Sequence, residues 1–212
     1  MLELGVKTLI AYLLGSLLGS LVMGRLRGVD IREQGSGNAG GTNALRTQGW
    51  KFALGVVVID VGKALVAAGL LPGLALPGIG IDPGVGRDWL AVSCAAAAVV
   101  GHVYPVWYEF RGGKGAATLI GAVAVLEPSA LLPVALVWLA CVTLTGFVGL
   151  GTMLGAATLP VYFALARPDS NALLAFGLAM AAFVAYTHRS NVARMRAGNE
   201  NRARRLWLLR PR

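Results

Sequence analysis

Three polar stretches interrupt an otherwise apolar chain, and each carries groups able to hold an anion or move a proton. The first is Gly35-Ser36-Gly37-Asn38-Ala39-Gly40-Gly41-Thr42-Asn43-Ala44-Leu45-Arg46. Its glycines leave backbone N–H groups free to converge, Ser36, Asn38, Thr42 and Asn43 add side-chain donors, and Arg46 adds a fixed positive charge. That combination binds phosphate, although a flexible connector has the same composition. The second stretch begins with Gly101-His102-Val103-Tyr104-Pro105 and ends with Phe110-Arg111-Gly112-Gly113-Lys114-Gly115-Ala116-Ala117-Thr118. Here a Gly-Gly-Lys-Gly turn opens a helix whose first amides favour an anion, with Lys114 as a mobile charge. The GxxxxGK[ST] spacing of a P-loop is absent, and an ordinary basic loop at a membrane surface also accounts for the turn. The third stretch is His188-Arg189-Ser190-Asn191-Val192-Ala193-Arg194-Met195-Arg196-Ala197-Gly198-Asn199-Glu200. Anchoring to anionic headgroups explains its arginines but not His188 or Asn191. Glu200 reads as a structural partner for the nearby arginines.

The elements that must position these stretches are membrane helices. Of 212 residues, 56% are hydrophobic and only 14% charged, against about 25% charged in a soluble domain, and the mean hydropathy is +0.67. A bilayer core of about 30 Å takes roughly 20 apolar residues per helix. On that measure the chain is an all-α, polytopic membrane protein with seven transmembrane helices, near 4–24, 51–71, 89–107, 114–127, 130–148, 150–166 and 171–188. Gly15 and Gly19 form a GxxxG pair suited to close helix packing. The whole chain, 1–212, reads as a single transmembrane domain with cytoplasmic motif loops near 25–50, 107–116, 146–152 and 188–212.

Lys and Arg set the orientation. One side holds Arg25, Arg27, Arg32, Arg46, Lys51, Arg111, Lys114 and the eight arginines from Arg189 to Arg212, while the other holds Lys7, Arg87 and Arg167. The positive-inside rule then places the N-terminus outside and the C-terminus in the cytoplasm, so all three polar stretches share the cytoplasmic face. Asp60 and Lys63 lie three apart within the second apolar run, share a helix face and can pair; charge inside a span is costly and marks either function or a structural pair.

The net charge of +9 goes with the membrane rather than with nucleic acid, for which no motif is present. Cys94 and Cys141 lie in apolar runs and form neither a disulfide framework nor a metal site. No cofactor or metal is expected. The first apolar run lacks a small-residue cleavage site and reads as a retained helix.

Taken together, the three stretches resemble the bacterial integral-membrane acyl-phosphate:glycerol-3-phosphate acyltransferases, whose motifs GSGNxGxTNxxR, GHxxPxxxxFxGGKGxAT and HxxNxxRxxxGxE match Gly35–Arg46, Gly101–Thr118 and His188–Glu200. The resemblance covers the whole chain. It implies transfer of a fatty acyl group from acyl phosphate to the 1-hydroxyl of glycerol 3-phosphate, giving lysophosphatidic acid and phosphate, as the first acylation of phospholipid synthesis. It also implies a bacterial inner-membrane protein whose active site faces the cytoplasm, in contact with membrane lipids and functionally coupled to the enzyme that makes acyl phosphate.

By the same resemblance, Ser36, Arg46, Lys114, His102, His188 and Asn191 serve catalysis. Gly37, Asn38, Thr42, Asn43, Gly112, Gly113, Thr118 and Thr152 serve substrate binding. The base is either a substrate phosphate or one of His102 and His188; the HxxxxD pairing of other acyltransferases is absent, since Trp107 and Ala193 stand where the acid would be. The chain departs from the family's Arg-Tyr-x-Ser-Leu-x-Ser pattern, with Gly146-Phe147-Val148-Gly149-Leu150-Gly151-Thr152 in its place. It also has Ala39 and Gly41 where proline and alanine are common, which is expected only to loosen the loop. The alternative is a transporter or channel for a phosphorylated solute. It explains the basic face equally, but it needs polar residues across the spans and a pair of broken helices, neither of which the sequence displays.

Overall fold

The computed structural model describes residues 1–209, and among them the chain is helical, with one isolated bridge between Leu76 and Ile79 and no strand. Arg210 and Arg212, counted above with the cytoplasmic arginines, lie outside the described residues. The helices are α1 (Leu2–Gly15), α2 (Gly19–Arg27), α3 (Gly41–Gln48), α4 (Trp50–Leu65), α5 (Arg87–Val103), α6 (Ala116–Leu126), α7 (Leu131–Thr145), α8 (Val148–Ala166), α9 (Asn171–Thr187) and α10 (Arg189–Arg196). They group into two compact units, Met1–Leu126 and Glu127–Arg212.

The membrane character of the sequence carries into the helices. Among the described residues, five stretches are long and apolar enough to cross a bilayer: Leu2–Arg27, Trp50–Gly73, Arg87–Tyr108, Pro128–Thr145 and Val148–Ala166. α9 joins them when taken together with α10 across a 49° bend. The remaining apolar run, expected over 114–127, is the 11-residue α6, which rises about 16 Å at 1.5 Å per residue. Both of its ends have a cause. Gly115 before it is left-handed at φ +88°, and Glu127 is drawn out of helical conformation by Pro128.

The first apolar run is not the single helix expected over 4–24. It breaks at Ser16–Leu18, between α1 and α2, because its two glycines serve different neighbours. A Cβ at Gly15 would come within 2.2 Å of the Ala98 carbonyl oxygen on α5, and one at Gly19 within 2.5 Å of the Val56 carbonyl oxygen on α4. A break inside an apolar bundle strands backbone groups that lipid cannot satisfy. α4 satisfies them with the two charges noted in the sequence: Asp60 Oδ1 accepts from Gly19 N at 3.0 Å, and Lys63 Nζ donates to the Leu17 carbonyl at 2.8 Å. The two side chains also pair with each other at 3.1 Å.

A second buried cluster closes the other end of this unit. Lys7 Nζ donates to Glu3 Oε1 and to the Pro72 carbonyl, both at 2.8 Å, and Arg87 grips both Glu3 oxygens at 2.8 and 2.7 Å. Asp82 donates its backbone N–H to Glu3 and pairs through its carboxylate with the amino group of Met1, which holds that carboxyl below the usual aspartate range. The connection after α4 is thereby fastened to α1 and α5.

In the second unit α8 packs between α7 and α9. Gly151 lies against Trp138 and Val142 of α7, and Gly177 of α9 against Phe163 and Pro160 of α8. Glu127 joins Ser129 and Arg167 at the start of the unit; the Ser129 hydroxyl and then the Arg167 guanidinium hold its carboxyl below the ordinary glutamate range.

Candidate active site

The loop between α2 and α3 is organised by Asn43. Its Oδ1 accepts from Ser36 N at 3.0 Å, and its Nδ2 donates to the carbonyls of Ile31 and Gln34 at 3.0 and 2.9 Å. With both amide protons spent on the backbone and only 1% of its surface exposed, Asn43 shapes the loop rather than facing solvent. Gly35, left-handed at φ +57°, sits so close that a Cβ would lie 2.4 Å from Asn43 Oδ1. Gln48 Nε2 closes the turn onto Gln34 Oε1 at 2.7 Å. Ser36, Gly37, Thr42 and Arg46 are left on the exposed side, with Asn38 half-buried. Ala39 does not loosen this loop as its substitution for proline implied: it is fully buried against Leu18, Leu21 and Tyr108, and its carbonyl accepts from Ser20 Oγ at 2.8 Å.

The second loop folds back onto the end of α5. Gly113 N donates to the His102 carbonyl at 3.1 Å and Gly112 N to that of Val103 at 3.2 Å. The approach needs glycine twice, since a Cβ at Gly112 would meet the His102 carbonyl oxygen at 2.1 Å and one at Gly113 would meet His102 Nε2 at 2.2 Å. Lys114 is half-buried just before α6. Thr118, one turn into α6, is fully buried, and its hydroxyl has no hydrogen-bond partner among the described residues, so it is not on the exposed surface of the loop. His102 is likewise buried, with Nδ1 3.0 Å from Lys63 Nζ and 3.4 Å from Asp60 Oδ1.

The two loops meet through Arg32, which the sequence reading did not single out. Its guanidinium pairs with Asp30 at 2.6 Å and reaches the carbonyls of Tyr108 and Arg111 at 3.4 and 3.5 Å. Asp30 also caps the short turn Ile31–Glu33 by accepting from Arg32 N at 2.9 Å. Hydrogen bonding to Arg32 holds the Asp30 carboxyl below the usual aspartate range and raises the guanidinium in turn. The Asp-x-Arg spacing ahead of the glycines was the available signal. Arg25 adds a further cation, stacked 5.4 Å over the Tyr108 ring.

The third stretch belongs to the second unit. His188 sits at the bend between α9 and α10, 5% exposed, with Nδ1 2.8 Å from the Val184 carbonyl. A carbonyl only accepts, so Nδ1 carries the proton in this contact. Asn191 Nδ2 donates to Glu200 Oε1 at 2.7 Å, and Arg194 Nε to Glu200 Oε2 at 2.6 Å, which makes Glu200 the arginine partner expected of it. The departures at 149 and 152 bear on the same place. A Cβ at Gly149 would come 2.8 Å from Asn191 Nδ2, and Thr152 turns its hydroxyl onto the Val148 carbonyl at 2.9 Å, so in this rotamer its proton is spent on the helix.

The segment after Glu200 does more than anchor. Arg202 stacks on Phe147 and Trp207, 4.4 and 4.1 Å from the ring centroids. Four carbonyls at the end of α7, those of Thr143, Leu144, Thr145 and Gly146, accept from Leu208 N, Trp207 Nε1, Arg202 Nη1 and Ala203 N. Trp207, the one aromatic residue in this arginine-rich tail, was its signal.

The chain is similar to known proteins in sequence and fold. The family described as glycerol-3-phosphate acyltransferase matches residues 6–198. A glycerol-3-phosphate acyltransferase of Chlorobaculum parvum is 38% identical over 218 residues, covering 91% of this chain and 93% of its own. That of Synechococcus elongatus is 42% identical over 196 residues, covering 92% and 91%. The crystal structure of PlsY (YgiH), an integral membrane glycerol 3-phosphate acyltransferase in its glycerol 3-phosphate form, superposes with a TM-score of 0.79 at 33% identity over 94% of each chain. Its lysophosphatidic acid form gives 0.77.

Proposed function

The chain belongs to the glycerol-3-phosphate acyltransferase family, and on that premise we propose that it transfers a fatty acyl group from acyl phosphate to the 1-hydroxyl of glycerol 3-phosphate. The hydroxyl oxygen attacks the acyl carbon, the bond from that carbon to the phosphate oxygen breaks, and the hydroxyl proton passes to phosphate. Lysophosphatidic acid and inorganic phosphate leave.

The observation that carries this reading is the joining of two glycine-rich, cationic loops in one unit through Arg32. Both substrates are phosphorylated, and bringing two anions together needs fixed positive charge and aligned amides. Arg46 and Lys114, with Ser36, Gly37, Asn38, Thr42, Gly112 and Gly113, are the groups assigned to that task. Acyl phosphate is already activated, so proximity and charge stabilisation suffice without a covalent enzyme intermediate. No Asp or Glu lies within the first motif or in Gly112–Thr118, which favours a substrate phosphate as proton acceptor. His188 and Asn191 are assigned to the same reaction.

The proposal includes seven spans, with α6 and the bent α9–α10 pair among them, an outer N-terminus, and a cytoplasmic site in the bacterial inner membrane, functionally coupled to the enzyme that supplies acyl phosphate. Purified protein given palmitoyl phosphate and glycerol 3-phosphate is expected to release phosphate and lysophosphatidate, and to lose turnover in Arg46→Ala and Lys114→Ala. Robust use of acyl-CoA instead would overturn the donor. Uptake of glycerol 3-phosphate into proteoliposomes without turnover would replace the enzyme by a transporter.

A further inference from the structure

Asp60 lies in α4, outside all three polar stretches, yet both loops lead back to one of its oxygens. On one side Asp60 Oδ1 holds Gly19 N at 3.0 Å, the first residue of α2. The next residue, Ser20, holds the Ala39 carbonyl at 2.8 Å, and Ala39 is the packed residue of the first loop. On the other side Asp60 Oδ1 orients Lys63 at 3.1 Å.

The ammonium of Lys63 has three protons and three partners: Asp60 Oδ1, the Leu17 carbonyl and His102 Nδ1, the last at 3.0 Å. Nδ1 lies nearer to Lys63 Nζ, at 3.0 Å, than to Asp60 Oδ1, at 3.4 Å, and with Nδ1 accepting from Lys63 the imidazole proton sits on Nε2. Nε2 is the atom facing Gly113, at a place where a Cβ would be 2.2 Å away. The imidazole thus forms the seat of the second loop and presents no lone pair toward it.

We propose that Asp60 is a positioning residue that sets both glycine-rich loops in register, acting through Gly19 and Ser20 on the first and through Lys63 and His102 on the second. His102, in consequence, seats the loop and is not the base. A cluster that merely repaired the break at Ser16–Leu18 would need only Asp60, Lys63 and the backbone groups of Leu17 and Gly19. The third member, with its far nitrogen against Gly113, extends the cluster to the phosphate loop. The inference rests on the acyltransferase reading for its kinetic consequence and on the geometry alone for its structural one.

The test uses full-length protein in lipid nanodiscs. Asp60→Asn is expected to raise KM for glycerol 3-phosphate by about tenfold or more while kcat moves less, because misplaced loops weaken substrate binding before they alter the chemistry. His102→Gln, which can still accept from Lys63 and donate toward Gly113, is expected to raise KM less than His102→Ala does. Hydrogen exchange is expected to quicken in Asp60→Asn at Gly112 and Gly113 and also at Ser36 and Gly37, and this readout needs no turnover.

Exchange that quickens only around Ser16–Gly19 would overturn the proposal, as would an unchanged KM in an active protein. If the parent protein shows no turnover, the acyltransferase reading fails, and loop exchange still decides whether Asp60 positions the loops. Should Asp60→Asn not fold, Gly113→Ala decides. Its collision with the imidazole is expected to disturb the loop, and His102→Ala added to it to relieve the disturbance; equal damage in both backgrounds would overturn the seat.

Discussion

The first unit buries two clusters of charge, and they differ in how much of the chain each one holds. Glu3, Lys7 and Arg87 form a closed set: each oxygen of Glu3 has a partner, Lys7 spends donors on Glu3 and Pro72, and the result fastens one connection. Asp60, Lys63 and His102 use the same chemistry around a helix break and pass its consequences on, to α2 through Gly19 and to the second loop through Gly113. Buried charge is weak evidence for stability in general. What separates the two sets is whether something that must be placed accurately hangs from them.

Substitutions can break or sharpen that contrast. The largest effect is expected on stability. Glu3→Ala takes the carboxylate from Lys7, which is only 2% exposed and keeps just the Pro72 carbonyl, and removing one partner of a buried pair is strongly destabilising. Unfolding in detergent measures the loss, with KM of the folded fraction unchanged. If KM rises as it does for Asp60→Asn, the contrast fails.

Next, Glu3→Leu with Lys7→Met is expected to recover most of that loss, since apolar replacement of both partners is often neutral, and half-exposed Arg87 can hydrate. The matching Asp60→Leu with Lys63→Met is expected to recover folding without recovering KM.

Smaller again, Arg32→Ala removes the bridge between the loops. The Arg32–Asp30 pair is only partly buried, at 22% and 30% exposed, so about 1 kcal/mol is expected, seen as a KM rise of a few-fold. pH tests the same link. Asp30 is held below its ordinary value of 3.8, so its contribution is complete above that pH and is lost as the pH falls through the lower folded value. Loop protection at Ser36 and Gly37, taken relative to the intrinsic exchange rate at each pH, should therefore hold steady from neutrality to about pH 4 and fall below it. The least effect belongs to Cys94→Ala and Cys141→Ala, expected to leave kcat and KM unchanged; inactivity of a folded cysteine-free variant would assign those thiols a role the geometry gives them no means to play.

Length and hydropathy made the apolar runs legible, because a bilayer sets a minimum number of residues and Pro, Gly and charge mark the ends. The break at Ser16–Leu18 was not legible, since Leu17 and Leu18 are as apolar as their neighbours. Asp60 and Lys63 were visible as an i,i+3 pair, but that they serve a different span depends on which helices Gly15 and Gly19 choose. The three polar stretches could be read as phosphate chemistry from composition and spacing. Within them, the division between residues that build and residues that face outward was hidden. Asn43 and Thr118 look as available as Thr42 and Asn38, and only folding shows that Asn43 spends its amide on Ile31 and Gln34 while Thr118 is fully buried.

Gly149 carries a consequence for how this chain can change over time. The volume that a side chain there would fill is already taken by Asn191, which Glu200 pins and Arg194 steadies. A serine at 149 and the present pose of Asn191 are thus mutually exclusive occupants of one space. Acquiring the serine therefore obliges Asn191 to leave its present pose against Glu200, so a change at 149 is felt first in the third polar stretch.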